Sequence, residues 1–139
     1  MRVLSTHHRH TPHPPSAVYR LWASPREWVR WDPDVADVRF TGESREGARG
    51  WMRPATGPAT SFTITEVDPD RLLTTTSRLP GAVLCFRHEV EPEGAGSRAS
   101  VTIGVSGPLR ALWAILLRRN FAPAAERNLE GLLTQVGAA

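Results

Sequence analysis

Trp28-Val-Arg-Trp31-Asp-Pro33 marks the point where the hydrophobic period of this 139-residue chain changes. Upstream, apolar residues recur at helical spacing. Downstream they alternate, as a half-buried strand requires. Pro14 and Pro15 suit a helix entry, where a missing N–H costs nothing, and Ser16–Ala23 carries Val18, Tyr19, Leu21 and Trp22. Ser24-Pro25 reads as an N-cap followed by proline at the first helical position, with Glu27 in the first turn. Pro25–Trp31 is therefore a second short helix with Trp28 and Trp31 on one face. Asp32-Pro33-Asp34 ends it. Before the helices, residues 2–11 read as a strand closed by Thr11-Pro-His-Pro-Pro15.

Six strands are expected after the change of period: Val35–Gly42, Ala48–Arg53, Thr60–Val67, Arg71–Leu79, Ala82–Glu91 and Ser97–Val105. Turn residues separate them, among them Asp68-Pro-Asp70 and Pro80-Gly81. Leu84, Phe86, His88 and Val90 alternate with Cys85, Arg87, Glu89 and Glu91. Ala99, Val101, Ile103 and Val105 alternate with Arg98, Ser100, Thr102 and Gly104. Such strands form antiparallel sheets with one buried and one wet face. The last element begins at Gly107-Pro108. Leu109, Leu112, Trp113, Leu116 and Leu117 form one helical stripe. Phe121, Ala125, Leu129, Leu132, Leu133 and Val136 form another on roughly the opposite face. One straight helix cannot bury both stripes against one sheet. Pro123 lacks the N–H that would bond Arg119, so a kink or break is expected near Asn120–Pro123.

Composition narrows the function class. Hydrophobic residues make up 40% and charged residues 22%, as in ordinary globular domains, and the length suits a single domain over 1–139. All 17 basic residues are arginine, so a net charge of only +3 keeps the pI near 10.3. The arginines are interleaved with acids and form no basic stripe with stacking aromatics, which argues against a nucleic-acid partner. The longest apolar run, Ala111–Leu117, is too short to span a bilayer, and residues 1–15 do not resemble a signal peptide. With a lone Cys85 excluding an internal disulfide, a cytoplasmic monomer or homodimer is expected.

The order strand, two short helices, six strands and a long C-terminal helix resembles the START/Bet v 1-like helix-grip fold. Local text is similar to its polyketide cyclase/dehydrase-like branch, the SRPBCC superfamily. The residues that carry the resemblance are Pro14-Pro-Ser-Ala-Val18, Trp28-x-x-Trp31-x-Pro33, Gly47, Glu66-Val-Asp-Pro-Asp-Arg-Leu72, Pro80-Gly81 and Asn128-Leu-Glu-Gly-Leu-Leu133. The resemblance implies an α+β fold: a seven-stranded curved antiparallel sheet wrapped around a long, kinked C-terminal helix, with a mostly apolar cavity between them. It also implies a small apolar or aromatic ligand, polyketide-, quinone- or lipid-like, with cyclase, aromatase or dehydratase chemistry as the alternative.

Candidate residues follow from the alternation and from the cavity that the resemblance implies, which gives the tryptophans, core residues by default, a lining role. Trp31, Trp51, Phe62, Leu73, Phe86, Ile103, Trp113 and Leu116 are expected to line the cavity, with Thr75 and Ser77 adding hydroxyls. His88 alternates inward and has two readings. It orients a ligand or acts as general acid/base, or it is a core histidine satisfied by a neighbouring strand. Tyr19 is the second acid/base candidate. Asn120 either reaches the ligand or satisfies carbonyls freed by Pro123. Asp32, Asp34 and Asp37 read as solvated turn and cap residues. His7, His8, His10 and His13 do not share one face, so no metal site is expected, and no cofactor fingerprint is present. Arg110, Arg118 and Arg119 open one further reading, an interaction module that touches acidic lipids or a partner.

Overall fold

The computed structural model describes residues 1–138. Strand β1 (Arg2–Thr11) leads into helix α1 (Pro15–Trp22), a 3-10 turn (Pro25–Glu27) and the single-turn α2 (Trp28–Trp31). Six strands follow: β2 (Val35–Arg39), β3 (Arg49–Pro54), β4 (Thr60–Asp68), β5 (Leu72–Leu79), β6 (Ala82–Glu93) and β7 (Gly96–Ser106). Helices α3 (Arg110–Phe121) and α4 (Ala124–Ala138) end the chain. The strands form one antiparallel sheet in the order β1-β7-β6-β5-β4-β3-β2. Hairpins connect β2 through β7, and β1 crosses over to pair with β7, which places the helices on one face. This is the α+β helix-grip fold.

The period-two reading of β6 and β7 matches the sheet. Leu84, His88, Val90, Ala99, Val101, Ile103 and Val105 are buried on the inner face. The β5–β6 hairpin closes through Leu79-Pro80-Gly81-Ala82. Pro80 pre-sets the first central φ, and Gly81, at φ +70°, takes the left-handed position that a side chain would strain. Shorter than its alternation suggests, β2 ends at Arg39, although Phe40 beyond it is still buried against Phe62. Ser24 does not cap the second helix. Its hydroxyl donates to the Arg20 carbonyl at 2.8 Å and closes α1 instead.

The break at Pro123 falls where the missing N–H requires it, and Ser5 of β1 heals it. Its Oγ donates to the Ala122 carbonyl (2.9 Å) and accepts from the Ala125 N–H (3.1 Å). That hydroxyl caps α4 from 120 residues away. Asn120, for which supplying these bonds is one of two readings and reaching a ligand the other, is exposed.

Helix α4 lies close to the rest of the fold. Ala124, Ala125, Leu129, Leu132 and Val136 are buried, and Gly131 sits so near the Trp31 carbonyl that a Cβ there would collide with it. The two motifs Trp28-x-x-Trp31-x-Pro33 and Asn128-Leu-Glu-Gly-Leu-Leu133 therefore meet in space. Asn128 Nδ2 donates to Asp32 Oδ2 at 2.9 Å, and Arg127 pairs with Asp34 at 3.2 Å. Farther along α4, Glu130 accepts from Arg9 at 2.6 Å and bonds His7 at 3.1 Å. In contrast, α3 buries no residue.

Candidate functional site

The concave face of the sheet brings together five of the expected cavity residues. Leu73 pairs across strands with His88, Thr75 with Phe86, and Phe86 with Ile103. Two different lids cover this face. Over His88 lies Trp22 of α1, with ring centroids 5.2 Å apart. Over Phe86 lies Phe121 of α3, edge-on at 6.0 Å. His88 is buried, whereas Phe86 is only half-buried. The buried side chains of Thr75 and Ser77 stand on this same inner face.

His88 is fixed by the strand beside it. Its Nδ1 lies 2.9 Å from the Leu73 carbonyl oxygen, which accepts only if Nδ1 carries the proton. Burial drives the imidazole pKa down to about 4, outweighing the opposite effect of that hydrogen bond. At neutral pH the ring is therefore uncharged, with its lone pair on Nε2. A base this weak and this enclosed is poorly matched to proton transfer near pH 7.

The other candidates separate into distinct places. Phe62 is buried between Trp28 (5.2 Å) and Phe40 (6.1 Å), at the β2–β4 end of the sheet. Trp31 is buried beneath α4, and its indole N–H has no protein partner. Trp51 stands on the outer face beside Ser61, with the Arg39 guanidinium 5.2 Å from its ring. Strand parity explains this: Gly50 and Met52 turn inward, so Trp51 between them turns out. Trp113 is half-buried and donates its indole N–H to the Pro80 carbonyl at 2.7 Å. With that bond in place, Trp113, Leu117 and Phe121 face the core. Leu116 is left exposed, as is Asn120.

Tyr19 is buried at the margin of the core, on α1. It lines a groove of about 450 Å³ with Phe40, Val67, Pro69, Arg26 and Glu43, between α1 and the loop after β2. Burial, reinforced by Asp70 and Asp68, raises its hydroxyl pKa, so the phenol keeps its proton at neutral pH. Cys85 points outward from β6. Burial and then Glu66 raise its thiol pKa, the opposite of what a nucleophile needs. The histidines of the first strand bond separate carboxylates, His7 to Glu130 and His10 to Glu93.

Asp32 departs from its expected role as a solvated turn residue. It is buried, accepting from Asn128 and from the Asp34 backbone N–H (2.9 Å). Burial pushes its pKa up to about 6, against the lowering effect of both bonds. The signal is present in the sequence: Asn128 falls on the Ala125–Leu129–Leu132 stripe, and a polar residue in an apolar stripe asks for a buried partner.

No helix among the described residues is long and apolar enough to cross a membrane. Comparison with solved structures gives matches spanning nearly the whole chain. A protein of Nitrosomonas europaea superposes with a TM-score of 0.74 at 17% identity, covering 96% of this chain and 93% of that one. A Thermus thermophilus protein gives 0.68 at 23%, covering 96% and 97%. The Bet v 1-type allergen Ara h 8.0201 gives 0.68 at 11%, with the same coverage. At these identities the likeness concerns the fold. No curated protein matches the sequence significantly. The sequence profile of one family matches residues 2–137. By that match and by its START/Bet v 1-like architecture, the chain belongs to the family described as polyketide cyclase / dehydrase and lipid transport.

Proposed function

We propose that the protein binds a small apolar or aromatic molecule between the inner face of the sheet and α3. The carrying observation is the contrast beneath the two lids. His88 is sealed under α1, but Phe86 stays half-buried under a helix that buries nothing. Displacing α3 opens Phe86, with Thr75 beside it on β5, to a ligand. Apolar contact supplies the affinity, and hydroxyls on the inner face of β5 orient a polar edge. Ile103, across from Phe86 on β7, forms the floor, and Leu73 and His88 stay sealed beneath α1. The family description, which joins cyclase or dehydrase activity with lipid transport, agrees with such a ligand. Its enzymatic half finds no support in His88, which is enclosed and neutral.

A thermal-shift panel of aromatic polyketides, quinones, fatty acids and sterols tests this reading. At 100 times its Kd a ligand stabilises by about 2.7 kcal/mol, which is several degrees for a domain of this size. A hit is expected in one chemical class, with Phe86→Ala weakening it roughly tenfold, as loss of a buried aromatic contact does. A panel without any shift, or a hit indifferent to Phe86→Ala and to Trp113→Phe, overturns it.

A further inference from the structure

Helix α3 is apolar on two opposite sides, and the fold covers only one. Trp113, Leu117 and Phe121, four residues apart, pack on the core. Leu112, Ile115 and Leu116 lie on the far side at 51%, 67% and 58% exposure, continued at the N-terminal end by Leu109 at 44%. A helix apolar all round requires a second apolar surface. The charge around the exposed face says which kind. Between Glu93 and Glu126 the chain has no carboxylate, while α3 carries Arg110, Arg118 and Arg119. Arg119 follows Leu112, Ile115 and Leu116 on the same stripe. Among the described residues neither Arg118 nor Arg119 has an acidic partner.

We infer that the exposed face of α3 docks on the surface of an anionic lipid bilayer. The apolar side chains enter the acyl boundary. The arginines extend to the phosphates, their aliphatic stems lying along the apolar stripe. A second copy of the chain fits this face poorly. Parallel pairing of α3 with α3 sets Arg118 and Arg119 against their copies, and in either direction no carboxylate on the helix is available to neutralise them. The inference does not require a ligand under α3, because the docking face and the Phe86 face are opposite sides of the helix.

The test is co-sedimentation of the full chain with phosphatidylcholine vesicles, with and without phosphatidylglycerol. Binding is expected with phosphatidylglycerol and at least tenfold weaker without it. Arg118→Gln with Arg119→Gln should weaken binding roughly thirtyfold, at about one kcal/mol per arginine near the surface. Ile115→Glu with Leu116→Glu should abolish it. Both variants change exposed side chains, and an unchanged melting curve confirms that each folds. No binding to either vesicle, equal binding to both, or binding indifferent to both variants overturns the inference. So does a concentration-dependent dimer in sedimentation velocity that Ile115→Glu dissolves, which assigns the face to a second copy. Thermal shifts with the small-molecule panel are read separately, so failure of one proposal leaves the other standing.

Discussion

Helices α3 and α4 are consecutive pieces of one helical stretch, yet they relate to the sheet in opposite ways. The richer of the two in large apolar residues is α3, with Leu112, Trp113, Ile115, Leu116, Leu117 and Phe121, and it buries none of them. Helix α4 turns Ala124, Ala125 and Gly131 toward its neighbours and is seated closely. Small residues let one backbone approach another, and polar ties then fix the register: Asn128 to Asp32, Arg127 to Asp34, Glu130 to Arg9. Apolar content drives burial in general but does not select a position; shape and hydrogen bonding do. In this chain the anchored half is the one with small residues, and the half with bulk to spare is left to meet something else.

The sharpest way to break the contrast is to spoil the seat of α4. Gly131→Val drives a branched side chain into the Trp31 carbonyl, and backbone cannot move aside as a flexible side chain does. A loss of about 3 kcal/mol or more is expected, at the upper end of overpacking penalties. Leu129→Ala, at a fully buried site, should cost about 2–5 kcal/mol. Leu116→Ala on α3 should stay within about 0.5 kcal/mol, as exposed sites do. Urea midpoints of the three variants decide the matter. If Gly131→Val unfolds no earlier than Leu116→Ala, the close approach of α4 does not hold the fold.

The pH dependence of stability sharpens the contrast next, because the seat of α4 contains a titrating group. Folding raises the Asp32 pKa from 3.8 to about 6, so between those values the native state holds a proton that the unfolded chain releases. Stability from this group therefore falls as pH rises from about 4 to 6, and the loss persists above. His88, lowered from 6.5 to about 4, works the other way: the unfolded chain takes up a proton that the native state refuses, so stability falls as pH drops through the same region. In the wild-type chain the two slopes partly cancel. Asp32→Asn removes one of them. Its amide oxygen can still accept from the Asp34 N–H, and its new N–H finds an acceptor once the Asn128 amide turns over to present Oδ1, which is buried without a partner. The variant should gain on the order of 2–3 kcal/mol at pH 7, and it should lose stability more steeply than wild type between about pH 6 and 4. Melting curves across that range that stay parallel to wild type would sink this assignment.

Much of this architecture is legible in the sequence, and the parts that are not have a common cause. Strand parity places Leu84, Phe86, His88, Val101 and Ile103 on one face, because a period of two leaves little choice. Pro123 marks the break between the helices. What periodicity cannot supply is the rotation of a helix about its own axis when two stripes compete. Spacing alone turns the Leu109–Leu117 stripe toward the sheet as a unit; with Trp113 bonded to Pro80 the stripe is split, and Leu112 and Leu116 face outward. The size of Trp51 suggests a cavity-lining role, whereas its parity puts it beside Arg39 on the outer face. The neighbours of Asp32 in sequence suggest a solvated turn, but its role depends on Asn128, 96 residues later.

The junction between the two helices offers a smaller effect. Ser5→Ala removes the hydroxyl that joins Ala122 to Ala125 and leaves a buried helix end uncapped. A cost of about 1–2 kcal/mol is expected, in the range of lost helix caps. Ser5→Thr keeps the hydroxyl and should recover most of it. Amide exchange should quicken in the first turn of α4, where Ala125 loses its acceptor. If Ser5→Ala leaves both the midpoint and Ala125 exchange unchanged, the break is held by the packing of Ala124 and Ala125 alone.

The smallest expected effect in global stability separates the two helices most cleanly. Trp113→Phe keeps an aromatic ring near the core but deletes the N–H that holds Pro80. A hydrogen bond of this kind contributes about 1 kcal/mol net, and here it joins the β5–β6 hairpin to a helix without buried residues. Regions with few buried contacts open below the global unfolding free energy. Loosening such a region should therefore leave the melting midpoint almost where it was. The change should appear in α3 alone, as faster amide exchange from Ala114 to Leu117, while Leu129 and Leu132 in α4 exchange as before. If both helices speed up together, α3 and α4 open as one unit, and a ligand reaching Phe86 would have to lift the whole C-terminal region rather than its first half.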